Sequence, residues 1–104
     1  MELETIASAL KELGHPKRLS IYKLLVKSGL EGMPVGSLKE ALDIPGSTLN
    51  HHISSLMSVG LVKQVRQGRT LICISQYEVL EDIIEFLQDE CCVQGTGELK
   101  NKSA

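Results

Sequence analysis

No stretch of the sequence approaches the roughly 18–20 consecutive apolar residues that a membrane-spanning helix requires, so no membrane partner is expected. The amino terminus reads MELETIASAL, with acidic residues where a secretory signal carries basic ones. A cytoplasmic location is the expectation, and with it reduced cysteines. There are three of these, an odd number with Cys91 and Cys92 adjacent, which does not fit a disulfide framework. Lysine and arginine are missing from residues 76–92, which hold Glu78, Glu81, Asp82, Glu85, Asp89 and Glu90.

What is present is ordinary globular composition. The chain has 104 residues, 42% hydrophobic and 23% charged, enough for one small domain with a single core. Its net charge of −2 conceals an asymmetry. Residues 15–75 carry Lys17, Arg18, Lys23, Lys27, Lys39, Lys63, Arg66 and Arg69 against Glu31, Glu40 and Asp43. A basic working face with acidic flanks suits an anionic partner better than the overall balance suggests.

Leu3, Ile6, Ala7, Leu10 and Leu13 recur at helical spacing and predict a first amphipathic helix over 2–13. Pro16 suits the first turn of a second helix, which runs to Gly29. LEGMPVG is read as a loop and SLKEALD as a short third helix. IPGS is a turn, with Ser47 or a neighbour available to cap a fourth helix through about Val59, where Gly60 ends it. The period then changes: LVKQVR and RTLICIS are strand-like runs separated by Gln67-Gly68, a hairpin signal. QYEVLEDIIEFLQDECC returns to helix, with Val79, Leu80, Ile83, Ile84, Phe86 and Leu87 as its apolar stripe. Residues 93–104 form a polar tail expected to be flexible.

This order predicts a mainly α fold with a small β-hairpin wing (α+β), a winged helix-turn-helix arranged α1-α2-α3-α4-β-β-α5 over residues 1–92. Neither terminal helix is needed for that core, yet each has an apolar face. Homodimerisation through the first and last helices covers both.

On a helical wheel at about 100° per residue, Leu49, Ile53, Leu56 and Met57 share one side of the fourth helix. Ser47, Thr48, His51, Ser54, Ser55 and Ser58 take the other, with Asn50 and His52 at the borders. That outer face is small, polar and uncharged, where a merely solvated helix more often carries Lys and Glu. Hydroxyls, an amide and an imidazole suit base edges and phosphates of double-stranded operator DNA. Asn50 can pair with an adenine edge and His51 can donate to a guanine. Ser47 and Thr48 can hold a phosphate beside free backbone amides, and Ser54 lies on the same face. Arg66 and Arg69 flank the hairpin turn, where a wing reaches the minor groove. His52 reads as a hydrogen-bonded packing histidine.

The segments LGHPKRLSIYKLL, STLNHHISSLMSVGLV and RQGRTL, in that order and spacing, resemble the ArsR/SmtB family of bacterial metal- and stress-responsive repressors over roughly residues 5–92. The resemblance implies a homodimer that represses a promoter until an inducer releases it. One arsenic-responsive type opens its third helix with Cys-Val-Cys; the matching stretch here is Pro34-Val35-Gly36. The zinc type places Asp and His ligands along the last helix, and no histidine follows His52. The adjacent pair Cys91-Cys92 looks like an arsenic-responsive subgroup that keeps its cysteines at the end of that helix. Some of its members add a third cysteine in the tail, which this chain lacks.

Trivalent arsenic and antimony are soft centres that prefer thiolate, so Cys91 and Cys92 are the expected inducer ligands. A third ligand would come from the other subunit, from a small thiol, or from no protein group. Asp89, Glu90 and the negative end of the helix should keep both thiols protonated. If the helix continues to residue 92, the two sulfurs diverge and binding must unwind the last turn. Cys73, between Ile72 and Ile74, reads as a packed strand residue. No cofactor and no enzymatic activity are expected. The rival readings are a thiol-based sensor of oxidants, persulfides or electrophiles on the same fold, and a winged helix used only for protein interaction.

Overall fold

The structure is a computed structural model and describes residues 1–95. Most of the tail expected to be flexible, 96–104, lies outside the described residues. Helix α1 spans Leu3–Leu13 and α2 spans Pro16–Ser28. After a 3₁₀ turn at Gly29–Glu31 come β1 (Met33–Pro34), α3 (Val35–Leu42) and α4 (Gly46–Ser58). The wing strands β2 (Val62–Gln67) and β3 (Thr70–Ser75) follow, and α5 (Tyr77–Gln88) closes the order. This is the expected winged helix-turn-helix of five helices and a hairpin, with local differences.

The core is aliphatic. Leu25, Leu38, Leu49, Leu56 and Leu61 are fully buried, and Ile21, Ile53 and Tyr22 pack with them. Each such side chain contributes about 1.5–3 kcal/mol through burial. The turn between α3 and α4 is three residues long, with Asp43 in the left-handed region at φ 52° and Ile44 buried as its anchor. Pro45, rather than Ser47, is the N-cap of α4, and no side chain caps that helix. The far end closes as a Schellman motif: Leu61 N–H donates to the Leu56 carbonyl at 3.1 Å and Gly60 N–H to Met57 at 3.0 Å. Gly60 takes φ +80° to make it.

The segment read as a loop before the third helix contains a strand. β1 pairs antiparallel with β3, Met33 opposite Cys73 and Pro34 opposite Ile72, giving a three-stranded sheet in the order β1-β3-β2. Gly32 permits it. Its φ is +69°, and a Cβ there would lie 2.3 Å from the Cys73 carbonyl oxygen. The hairpin turn is also one residue later than expected: Gln67 pairs with Thr70, leaving Gly68-Arg69 at the tip. Gly68 supplies the positive φ of +64° that a two-residue hairpin loop needs at its first position.

One apolar position on α4 differs from the sequence reading. Met57 of α4 is 38% exposed, while His52 is buried at 5%, as expected of a packing histidine. On α5 only Ile83 is buried; Ile84, Phe86 and Leu87 face outward, as do Leu3 and Leu10 of α1. Helix α5 stops at Gln88, four residues before the expected end. Its last turn has no basic residue to offset the terminal carbonyls, and Asp89 and Glu90 add like charge where the helix dipole is already negative.

Candidate functional site

Helix α4 presents the small polar face that its sequence describes. Ser47, Thr48, Asn50, His51 and Ser54 are all exposed. Ser47 and Thr48 fall in the uncapped first turn, where backbone N–H groups have no intrahelical acceptor and must be satisfied from outside. An anionic oxygen placed there can meet both those amides and the two hydroxyls. Ser58 donates to the Ser55 carbonyl at 2.7 Å, so its hydroxyl is turned back on the helix.

Asn50, Arg66 and Arg69 line one open groove of about 750 Å³ between the start of α3, α4 and the wing. Arg66 lies on β2 opposite Leu71, and Arg69 sits at the hairpin tip. Pro34, Gly36, Ser37, Glu40 and Thr70 line the same groove and were not singled out by sequence reasoning. Ser37 and Gly36 enter because β1 runs directly into α3, a junction that hydrophobic period does not reveal. Ser47, Thr48, His51 and Ser54 stand on open helix surface outside that lining. The groove can take a polyanion against two guanidiniums while the amide of Asn50 offers a donor and an acceptor together.

Behind that face, His52 is held by α2. Arg18 Nε donates to His52 Nδ1 at 3.1 Å, and Arg18 also pairs with Glu12 Oε1 at 2.6 Å. His15, the N-cap of α2, accepts from the Lys17 backbone N–H through its own Nδ1 at 3.1 Å. Its ring centroid lies 4.7 Å from that of His52. Burial, then the neighbouring charges of His15, Arg18, His51 and Lys17, lower the His52 pKa below its usual value. Thirty-four positions separate Arg18 from His52, and no spacing rule joins them.

At the other end of the molecule the thiol pair sits beyond the helix rather than on it. Asp89 leaves helical geometry with ψ 134°, and Glu90 and Cys92 take φ 61° and 64°. Cys91 N–H donates to the Gln88 carbonyl at 3.0 Å and Val93 N–H to Glu90 at 3.3 Å, so the pair rides on consecutive turns. The sulfurs do not diverge. Cys91 Sγ and Cys92 Sγ lie 3.4 Å apart, with Cys91 exposed and Cys92 half-buried. The hydrogen bond with Cys91, which favours the neutral Cys92 thiol, with slight desolvation and the adjacent charge, raises the Cys92 pKa. Two close sulfurs can chelate one soft atom without the last helical turn having to open. Among the described residues, no three His, Cys, Asp or Glu side chains form a cluster able to hold a metal. Cys73 is fully buried in β3, its sulfur accepting from Gln64 Nε2 at 3.5 Å, and burial pushes its pKa up.

Comparison with known proteins bears on this architecture. Residues 13–65 match the family model described as a helix-turn-helix domain. An HTH-type transcriptional regulator of Methanocaldococcus jannaschii is 37% identical over 65 residues, covering 62% of this chain and 71% of the relative. The HTH-type transcriptional regulator YgaV of Escherichia coli K12 is 29% identical over 89 residues, 86% of this chain and 88% of that protein. In fold, the chain is similar to the homodimeric winged helix-turn-helix DNA-binding domain of a possible ArsR-family regulator from Mycobacterium bovis. There the TM-score is 0.69 at 24% identity, over 85% of this chain and 82% of the other.

Proposed function

The chain belongs to the helix-turn-helix family and is a DNA-binding transcriptional regulator of the ArsR/SmtB winged helix-turn-helix type, and from that premise we propose that it is a homodimeric repressor released from its operator when trivalent arsenic or antimony binds Cys91 and Cys92. The observation that carries this reading is the 3.4 Å separation of two accessible sulfurs on adjacent residues. Bonds of about 2.3 Å, the length of a zinc–thiolate bond, would meet across that gap at about 95°. A pyramidal trivalent metalloid with a lone pair holds its ligands near a right angle; a tetrahedral ion requires a wider one. Oxidation to a disulfide is less well served. Adjacent Cα atoms stand about 3.8 Å apart, short of the roughly 4.4–6.8 Å that a relaxed disulfide spans.

The dimer is supported by the bare apolar face of α5 and by Leu3 and Leu10 of α1. The homodimeric state of the similar M. bovis domain agrees with it. Cys91 follows three residues after Gln88, where α5 ends, so a metalloid held by the pair sits close in sequence to that face. Two recognition helices must sit about 34 Å apart to enter successive major grooves. A small rotation at the interface spoils that spacing, and a coupling of about 1–3 kcal/mol weakens DNA binding about 5–150-fold.

The test is arsenite titration of the reduced protein together with mobility shift on its own promoter DNA. The expected result is stoichiometric binding that releases DNA, with both responses lost in the C91S/C92S variant. Unchanged arsenite binding in that variant eliminates the assignment; peroxide releasing DNA where arsenite does not would favour the redox reading.

A further inference from the structure

Among the described residues, one side-chain hydrogen bond joins α2 to α4. There His52, 5% exposed, faces the guanidinium of Arg18, whose Nε donates to its Nδ1 at 3.1 Å. The same guanidinium donates to Glu12 Oε1 at 2.6 Å and to the Glu12 carbonyl at 3.4 Å, near the end of α1. One side chain therefore ties α1, α2 and the recognition helix together.

The geometry restricts the state of His52. An Nδ1 that accepts carries no proton, so the ring is neutral, with its hydrogen on Nε2. The groups that face it are Arg18, Lys17 and His15 from α2, with His51 on its own helix. None of these carries negative charge. The one carboxylate nearby, Glu12, is engaged by Arg18. Nothing beside the ring rewards an imidazolium, and a protonated Nδ1 would point a hydrogen at the arginine that now donates to it.

Asn50, His51 and Ser54 leave the turns of α4 immediately around His52, so the angle at which they meet DNA depends on how that residue is anchored. We infer that Arg18 is the positioning residue of the recognition helix, acting through neutral His52 and itself aimed by Glu12, so that sequence-specific DNA reading is lost on acidification. This rests on the α4 surface being the reading surface. The sign is fixed by the lowered pKa: the link is intact above about 6.5, the ordinary histidine value, and breaks as pH falls through the lower folded value.

The experiment compares binding to the protein's own promoter duplex and to a scrambled duplex at fixed ionic strength, from pH 8 to pH 5.5. In the wild type the promoter-to-scrambled affinity ratio falls about tenfold, the size expected for one charge-assisted hydrogen bond. His52→Gln, whose amide oxygen accepts from Arg18 at every pH, keeps the ratio at pH 8 and abolishes the fall. Arg18→Met lowers the ratio already at pH 8, and Arg18→Lys partly restores it. Circular dichroism and the imidazole titration of DNA-free protein by NMR show that the variants fold and that His52 titrates below its ordinary value. The inference is overturned if His52→Gln retains the wild-type pH profile, or if Arg18→Met discriminates as well as the wild type at pH 8. Absence of any discrimination by the wild type at pH 8 would instead remove the α4 reading surface, and this inference with it.

Discussion

The hydroxyl of Tyr22, on α2, lies 2.8 Å from Oγ of Ser75, the last residue of the wing, and both groups are buried. Fifty-three positions separate them in sequence, so the bond fastens the wing to the helical body. Burial raises the Tyr22 pKa, which keeps the phenol neutral and the pair intact through ordinary conditions. Tyr22→Phe strands the serine hydroxyl in the core. The expected loss is about 1–3 kcal/mol in urea denaturation, and a Tyr22→Phe/Ser75→Ala pair should recover part of it.

On the DNA face the two kinds of contact should separate by experiment. Arg66→Ala and Arg69→Ala each weaken binding to promoter and scrambled duplexes alike, and each reduces the salt slope by about one if its guanidinium meets a phosphate. Asn50→Ala instead costs about 1–3 kcal/mol on the promoter alone and relaxes preference at a single base position. A binding-site selection series read against salt checks both.

The exposed stripe of α5 can be poisoned without touching the core. Ile84 and Leu87 are 47% and 62% exposed within one chain, so charge there costs the protomer little. Ile84→Glu/Leu87→Glu should sediment as a folded monomer, with helical content unchanged and operator affinity strongly reduced. A dimeric double variant would locate the interface elsewhere.

The Cys92 thiol should be a slow nucleophile near neutral pH. With the Cys92 pKa raised by its neighbour, its alkylation by iodoacetamide should keep accelerating beyond the pH at which an ordinary thiol levels off. Cys91→Ser removes that neighbour and should move the Cys92 profile to lower pH. Mass spectrometry of the modified peptide over a pH series reads it directly.

Much of this architecture is written in local pattern. The switch from helical to alternating period after Gly60 locates the wing, and Gly68 marks its tip to within one residue. The small polar face of α4 is visible because nothing charged interrupts it. Other features have no local signature. Strand β1 is two residues long and exists because Gly32 lets the backbone approach Cys73. On the wheel of α4, His52 and Met57 flank the apolar centre at similar angles; His52 reads as a packing histidine, but its partner Arg18, on another helix, cannot be named from the wheel. The end of α5 eluded periodicity because DECC continues a tolerable helical pattern. An accumulation of negative charge at an unfavourable terminus stops it instead, and that stop is what turns the two sulfurs toward one another.

Pro34 is at once the last residue of β1 and the N-cap of α3. One bank of the groove, the start of α3, therefore continues from a strand hydrogen-bonded to β3, which in turn pairs with the strand that carries Arg66. Sheet pairing thus ties the two banks together at the working edge. Control exerted from the far end can then move the whole reading unit like a stiff lever, but cannot reshape its tip.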